Sequence, residues 1–182
     1  YFIKESEWEK TFEYWKKEMW KWIELVGIEK NKVHELEVST EDRAHYSKRT
    51  IDFEFEFPFG RKELYGLAYR TDYDLKNHSS SSGVDLSYFD EENKERFTPH
   101  VVEPTFGVDR TVLAVIASSY NEDNLGGEGE KRVFLKFSPR VAPVKAAVFP
   151  LLKNKPELVS KARAVYAMVA EKLPAVMFDD NG

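Results

Sequence analysis

Cysteine is absent from the 182 residues, which excludes a disulfide framework, cysteine-bound zinc and thiol catalysis, and fits a reducing cytoplasm. No apolar run of roughly eighteen residues occurs, so no transmembrane helix and no membrane partner are expected. The opening Tyr1-Phe2-Ile3-Lys4 carries neither a signal-peptide nor a transit-peptide pattern. Histidine is sparse: His34, His45, His78 and His100 are too scattered for metal-ligand spacing, and no metal site is expected from them. Positive charge is also in deficit, and the net charge of −5 argues against a simple nucleic-acid binder. The deficit is uneven, however. Residues 1–130 hold 17 basic and 28 acidic side chains, whereas residues 131–182 hold 10 and 4. The basic end either meets phosphates or merely solvates helix faces.

What is present begins with Ser6 and Glu9, an S-x-x-E capping box, followed by Trp8, Phe12, Trp15, Met19, Trp22, Ile23 and Val26 at helical spacing up to Gly27. The aromatic stripe reads as core, with a base-stacking or partner surface as the alternative. Val33, Leu36 and Val38 suggest a short strand, and His45 reads as a hydrogen-bonded structural histidine. Ile51, Phe53, Phe55 and Phe57 alternate with Asp52, Glu54 and Glu56, a half-buried antiparallel strand with one acidic face. That face is either a carboxylate wall that orders magnesium, ribose or an amino group, or a solvated surface. Pro58 and Gly60 turn the chain into a second strand, Glu63 to Arg70, in which Gly66 leaves room for a close approach. The serine-rich Asn77–Gly83 reads as a flexible loop, natural or in place of an excised insertion. Asp85–Phe97 reads as a hairpin, Asn121–Glu130 as an acidic surface loop and Val133–Phe137 as a strand. Beyond Arg140, a strand at Ala146–Phe149, a helix from Pro156 to Leu173 and a strand at Ala175–Phe178 make the start of a parallel α/β domain.

The chain is organised around Phe97–Tyr120, F-T-P-H-V-V-E-P-T-F-G-V-D-R-T-V-L-A-V-I-A-S-S-Y, a strand that runs through Pro104 and Gly107 into an apolar helix. Arg110 falls in the first turn of that helix, where a cation opposes the macrodipole unless an anion neutralises both. A phosphate would do so, because the arginine fork and the exposed N–H groups after Gly107 point at the same place.

These residues resemble motif 3 of the class II aminoacyl-tRNA synthetases, and the wording E-P-T-F-G-V-D-R is similar to that of the glycyl-tRNA synthetase family. A-H-Y-S at Ala44–Ser47, D-F-E-F-E-F-P-F-G from Asp52, K-E-L-Y-G-L-A-Y-R-T-D-Y-D-L from Lys62 and A-P-V-K-A-A-V-F-P-L from Ala142 match in the same order. The resemblance implies an α+β fold, a class II antiparallel sheet flanked by helices, in which residues 1–140 form a partial catalytic core. Residues 141–182 would begin an α/β anticodon-binding domain, truncated before its sheet closes. It implies ATP, with Mg2+, and glycine and tRNA(Gly) as partners, in a cytoplasmic homodimer.

The resemblance also assigns roles. Glu63, Leu64, Gly107, Val108, Asp109 and Arg110 would contact ATP, with Arg110 on phosphate. Glu103, Pro104, Thr105, Phe106 and Gly107 would form the glycine site, with Glu103 on the ammonium and Arg70 in support; Thr105 stands where the family has serine. Read without the family, two alternatives stay open for each: Glu103 is a site carboxylate or a structural acid paired to Arg70, and Asp109 a site residue or a helix-start residue. The family's motif 2, with its α-phosphate arginine, is not found, so the chain is expected to be a piece or a split subunit, incompetent by itself. A non-catalytic class II relative or an RNA-binding module is the alternative; the first is expected to lose Arg110 and Glu103, which are both here, and the second has no need of Glu103.

Overall fold

A computed structural model of the chain describes residues 1–124, 131–173 and 175–180. In chain order they form β1 (Phe2–Ile3), α1 (Trp8–Leu25), β2 (Val33–Glu37), β3 (Arg49–Phe57), β4 (Gly60–Thr71), α2 (Tyr73–Ser82), β5 (Tyr88–Asp90) and β6 (Glu95–Phe97). There follow β7 (His100–Phe106), α3 (Val108–Ser119), β8 (Tyr120–Asn124), β9 (Lys131–Leu135), β10 (Ala146–Val148), α4 (Pro156–Ala170) and β11 (Val176–Phe178). Contacts between residues group the chain into two units, Tyr1–Lys136 and Phe137–Gly182.

The first unit is built on a five-stranded sheet in the order β1-β7-β4-β3-β2, antiparallel throughout. The period-two pattern of β3 holds. Ile51, Phe53, Phe55 and Phe57 are buried while Asp52, Glu54 and Glu56 face the other way. Tyr65, Leu67 and Tyr69 of β4 and Val102 of β7 extend the apolar side. Helix α1 covers it: Phe12, Met19 and Ile23 are fully buried, Trp8 stacks flat on Tyr69 with ring centroids 4.5 Å apart, and Trp20 meets Phe53 edge-on. The stripe is core along most of its length, as helical spacing of large side chains favours. Gly27 ends the helix at a φ of 81°.

Three expectations need correction. Ser6 does not cap α1. Residues Glu5–Glu7 form a 3-10 turn in which the Glu7 N–H donates to the Lys4 carbonyl, so Ser6 lies inside a turn and the helix starts at Trp8 without a side-chain cap. The serine-rich segment is not a loop but the end of α2. Serine is a weak helix former, yet the first turn is held by Asp72–Lys76 and Arg70–Asp74 ion pairs, and the Ser82 hydroxyl bonds back to the His78 carbonyl. Gly83 then stops the helix in the left-handed region, φ 72°, its N–H on the Ser79 carbonyl. A Cβ added at Gly83 would touch nothing within 4 Å. Gly83→Ala is therefore expected to cost about 1 kcal/mol, from backbone strain alone, read as a lower midpoint in thermal unfolding. Finally, the first residues of the acidic stretch form β8, paired with β9 over Tyr120–Asn124, because the glutamate and aspartate side chains match cations across the ladder, Glu122 with Lys131 and Asp123 with Arg132. Residues 125–130 lie outside the described residues. The expected hairpin within Asp85–Phe97 is present as β5 and β6.

In the second unit β10 and β11 pair in parallel, Ala146 with Val176 through Val148 with Phe178. Helix α4 connects them, opened by Pro156, whose missing N–H is no loss in a first turn. This is the βαβ unit that the sequence suggested.

Candidate active site

The side of the sheet away from α1 is polar, and two irregularities in β4 decide what it presents. In the β3–β4 ladder Phe53 faces Tyr65 and Glu54 faces Glu63, so Leu64 has no opposite number. In the β4–β7 ladder Tyr69 faces Val102 and Thr71 faces Val101, so Arg70 has none. Each is a bulge, a device that re-aims side chains. Strict alternation would put Glu63 on the packed side with Tyr65 and Leu67; the bulge at Leu64 turns it outward, where its carboxylate approaches Gly66. Thr71 at a φ of 57° completes the second bulge.

Register then assembles residues that are far apart in sequence. Gly66 lies opposite Asp52 on one side and Thr105 on the other, and Ala68 lies opposite Glu103. A hollow of about 380 Å³ is lined by Glu63, Leu64, Tyr65, Gly66, Thr105, Gly107, Val108, Asp109 and Arg110. It gathers every residue expected to contact ATP, with Thr105 beside them. The Arg110 stem lies over Gly107, within 3.6–3.8 Å of where a Cβ would sit, and its Nη1 donates to the Glu63 carbonyl at 3.0 Å and to the Glu63 carboxylate at 3.1 Å. The arginine at the helix start is thus balanced by a carboxylate of the chain itself.

A second hollow, of about 650 Å³, is lined in part by Trp15, Arg70, Asp74, His78, Glu103 and Pro104. Arg70 forms two bonds to the Asp74 carboxylate, at 2.7 and 3.0 Å, and one to Glu103 at 2.8 Å, with its guanidinium 4.0 Å from the centre of the Tyr46 ring. The Asp74 bonds above all hold the guanidinium pKa up, and the guanidinium in turn holds the Asp74 carboxyl below its usual range. The expected glycine residues are accordingly divided: Thr105 and Gly107 line the first hollow, Glu103 and Pro104 the second. Phe106 turns to the other side, against Tyr65 and Trp22. His45 is hydrogen-bonded to the Tyr73 hydroxyl, the structural role read from its sequence.

Asp52 is half-buried opposite Gly66, which lines the first hollow. Burial, then the charges of Glu63 and Glu54, push its carboxyl pKa up. The folded chain therefore binds this proton more tightly than the unfolded chain, so Asp52 favours folding in acid and this contribution is lost as pH rises through the folded-state pKa. Asp52→Asn is expected to raise the unfolding midpoint at pH 7 and to leave it unchanged near pH 3, measured by thermal scans at both pH values. Among the described residues no group of three or more histidine, aspartate or glutamate side chains converges to hold a metal ion. The carboxylate wall is therefore not by itself a metal cage.

Tyr46, Asp74, Tyr65 and Thr111 are parts of this site that sequence reading did not single out. Asp74 follows Arg70 by four residues, but across a strand end, where no periodicity relates them.

An antiparallel sheet with bulged strands, a glycine turn into a helix and an arginine in its first turn make this a class II aminoacyl-tRNA synthetase fold. Prolyl-tRNA synthetase of Giardia lamblia, solved in complex with prolyl-adenylate, superposes with a TM-score of 0.66 over 98% of this chain and 34% of its own, at 15% identity, a likeness of fold. No family model matches the chain. The more particular relationship is that the chain is homologous along its whole length to a segment of proteins named glycine--tRNA ligase. It is 45% identical to those of Streptomyces coelicolor and Thermobifida fusca over 100% of this chain and 40% of theirs. With that of Clostridium acetobutylicum it shares 43% over 94% of this chain and 36% of the relative. The chain thus spans about 40% of the length of these relatives.

Proposed function

We propose that the chain carries part of the active site of a glycine--tRNA ligase, which activates glycine with ATP and transfers it to tRNA(Gly). The observation that carries the reading is homology along the whole chain to proteins of that name, joined to the convergence of Glu63, Leu64 and Gly107–Arg110 in one hollow. In the adenylate step a glycine carboxylate oxygen attacks the α-phosphorus of ATP and pyrophosphate leaves. Negative charge then grows on phosphate oxygens, and fixed donors aimed at them stabilise it. Arg110 supplies its planar fork, and the first-turn N–H groups of α3 add the positive end of the helix. Glu63 and Leu64 hold the nucleotide from β4. In the second hollow Arg70 is matched by two carboxylates, Asp74 and Glu103, which leaves the cluster one positive charge short. The glycine ammonium supplies it, with Arg70 holding Glu103 in place and Thr105 adding a hydroxyl nearby. Mg2+ arrives on the nucleotide phosphates, since this ion keeps much of its water and takes few protein ligands in such sites.

Residues 141–182, within the second unit and part of the basic end of the chain, form the beginning of the anticodon-binding domain, and the protein works as a cytoplasmic homodimer. A non-catalytic relative would have no use for both Arg110 and Glu103. The test is ATP–pyrophosphate exchange by the full-length protein. Exchange that depends on glycine is expected; exchange with another amino acid in its place, or none, overturns the reading.

A further inference from the structure

We propose that Tyr65 and Thr111 are positioning residues for the adenylate-forming step: a one-way chain of hydrogen bonds from Trp22 through Tyr65 and Thr111 to the Gly107 carbonyl fixes the turn that presents Arg110. The inference rests on the functional reading above. Its parts come from three elements. Trp22 on α1 donates its indole N–H to the Tyr65 hydroxyl at 3.1 Å, the Tyr65 hydroxyl lies 2.8 Å from the Thr111 hydroxyl, and the Thr111 hydroxyl donates to the Gly107 carbonyl at 2.7 Å.

The direction is determined. An indole nitrogen only donates and a carbonyl only accepts, so Thr111 spends its one proton on Gly107 and must accept from Tyr65, which accepts from Trp22. Every proton has one destination. Tyr65 is 1% exposed, and burial raises its pKa, which keeps the phenol a donor. Chains of this kind, part-buried as these three bonds are, strengthen each bond in them.

Gly107 needs such an anchor. It is the residue that enters α3, it has no side chain to cap the helix, and its backbone stays extended at φ −83° and ψ 117°. Its carbonyl already accepts the Thr111 N–H at 2.9 Å. The Thr111 hydroxyl adds a second bond to the same oxygen and ties it, through Tyr65, to the sheet and to α1. Because the Arg110 stem rests on Gly107, any drift of this turn would move the guanidinium. A misplacement of that order weakens a transition-state contact more than it weakens ground-state binding.

Conservative variants in the full-length protein test it. Tyr65→Phe and Thr111→Val each remove one hydroxyl and are expected to lower kcat/KM for ATP in pyrophosphate exchange about tenfold, as an unmade buried hydrogen bond would. KM for glycine should change little, and the unfolding midpoint should fall by no more than the loss of one hydrogen bond explains. Thr111→Ser keeps the hydroxyl and should retain activity. The double variant should be no worse than either single one, since both cut the same chain. Hydrogen exchange at the Thr111 amide, which is bonded to the Gly107 carbonyl, should quicken in Tyr65→Phe, with the amides of α1 unchanged. Wild-type kinetics in both single variants, or a loss in Thr111→Ser equal to that in Thr111→Val, would overturn the proposal. So would a loss shared equally by ATP, glycine and stability. If the unaltered protein shows no exchange with glycine, the functional reading fails, and hydrogen exchange still decides whether the chain of bonds anchors the turn.

Discussion

Arg110→Ala is expected to lower glycine-dependent ATP–pyrophosphate exchange by the full-length protein about 100- to 1,000-fold, the usual consequence of deleting one preorganised donor at a developing anion. The effect should fall on kcat as well as on KM for ATP, because the charge that Arg110 meets grows toward the transition state. Arg110→Lys should restore only part of the activity: a lysine keeps the charge without the planar fork that grips two oxygens. The competing role is visible in the same geometry. Arg110 pairs with Glu63 where both side chains are about half exposed, and an exposed pair of this kind contributes little to stability and tolerates lysine. Near-normal exchange in Arg110→Ala would leave the pair with Glu63 as its whole role. A loss that tracks a lowered unfolding midpoint would point the same way.

Glu103→Gln tests the other hollow. Glutamine keeps the size of the side chain and can still accept a bond from Arg70, but it removes the negative charge offered to an ammonium. Hydrogen bonds to charged groups contribute roughly 1.5–3 kcal/mol, so KM for glycine should rise about 10- to 150-fold while KM for ATP stays within a factor of two or so. Were Glu103 only a strut for Arg70, the substitution would be almost silent, since Asp74 holds the guanidinium by two bonds of its own. Steady-state exchange at varied glycine and then at varied ATP separates the two.

Much of the fold was legible because it rests on period. The alternation of Ile51 to Phe57 and the stripe from Phe12 to Ile23 each bury one face, and one face is what a pattern records, whereas α3 buries Ala114, Val115, Ser118 and Ser119 and leaves Val112, Leu113 and Ile116 exposed. Where stability comes from partners outside the element, the pattern is silent. Helix α2 is held by Arg70 from the preceding strand and by the left-handed glycine after it, and serine propensity predicts a loop there. Ser6 and Glu9 had the right spacing for a cap, but the chain enters α1 through a tighter turn. The candidate site was legible by resemblance rather than by physics: Glu63 and Arg110 are 47 positions apart and meet through strand register that no local pattern states. The bond from Tyr65 to Thr111 was hidden for the same reason.

The two bulges in β4 bear on how this segment can change over generations. Glu63 points outward because Leu64 is supernumerary in one ladder; Arg70, which shares the outward face with Gly66 and Ala68, is itself the extra residue in the other. Substitutions along β4 alter single contacts. Deleting one residue between the bulges, among Tyr65 to Tyr69, slips the pairing on one flank by one place and carries its side chains to the opposite face, Glu63 away from Arg110 or Arg70 away from Glu103. The strand can therefore drift in composition while its residue count is held fixed, and the copying errors it forgives least are those that change its length.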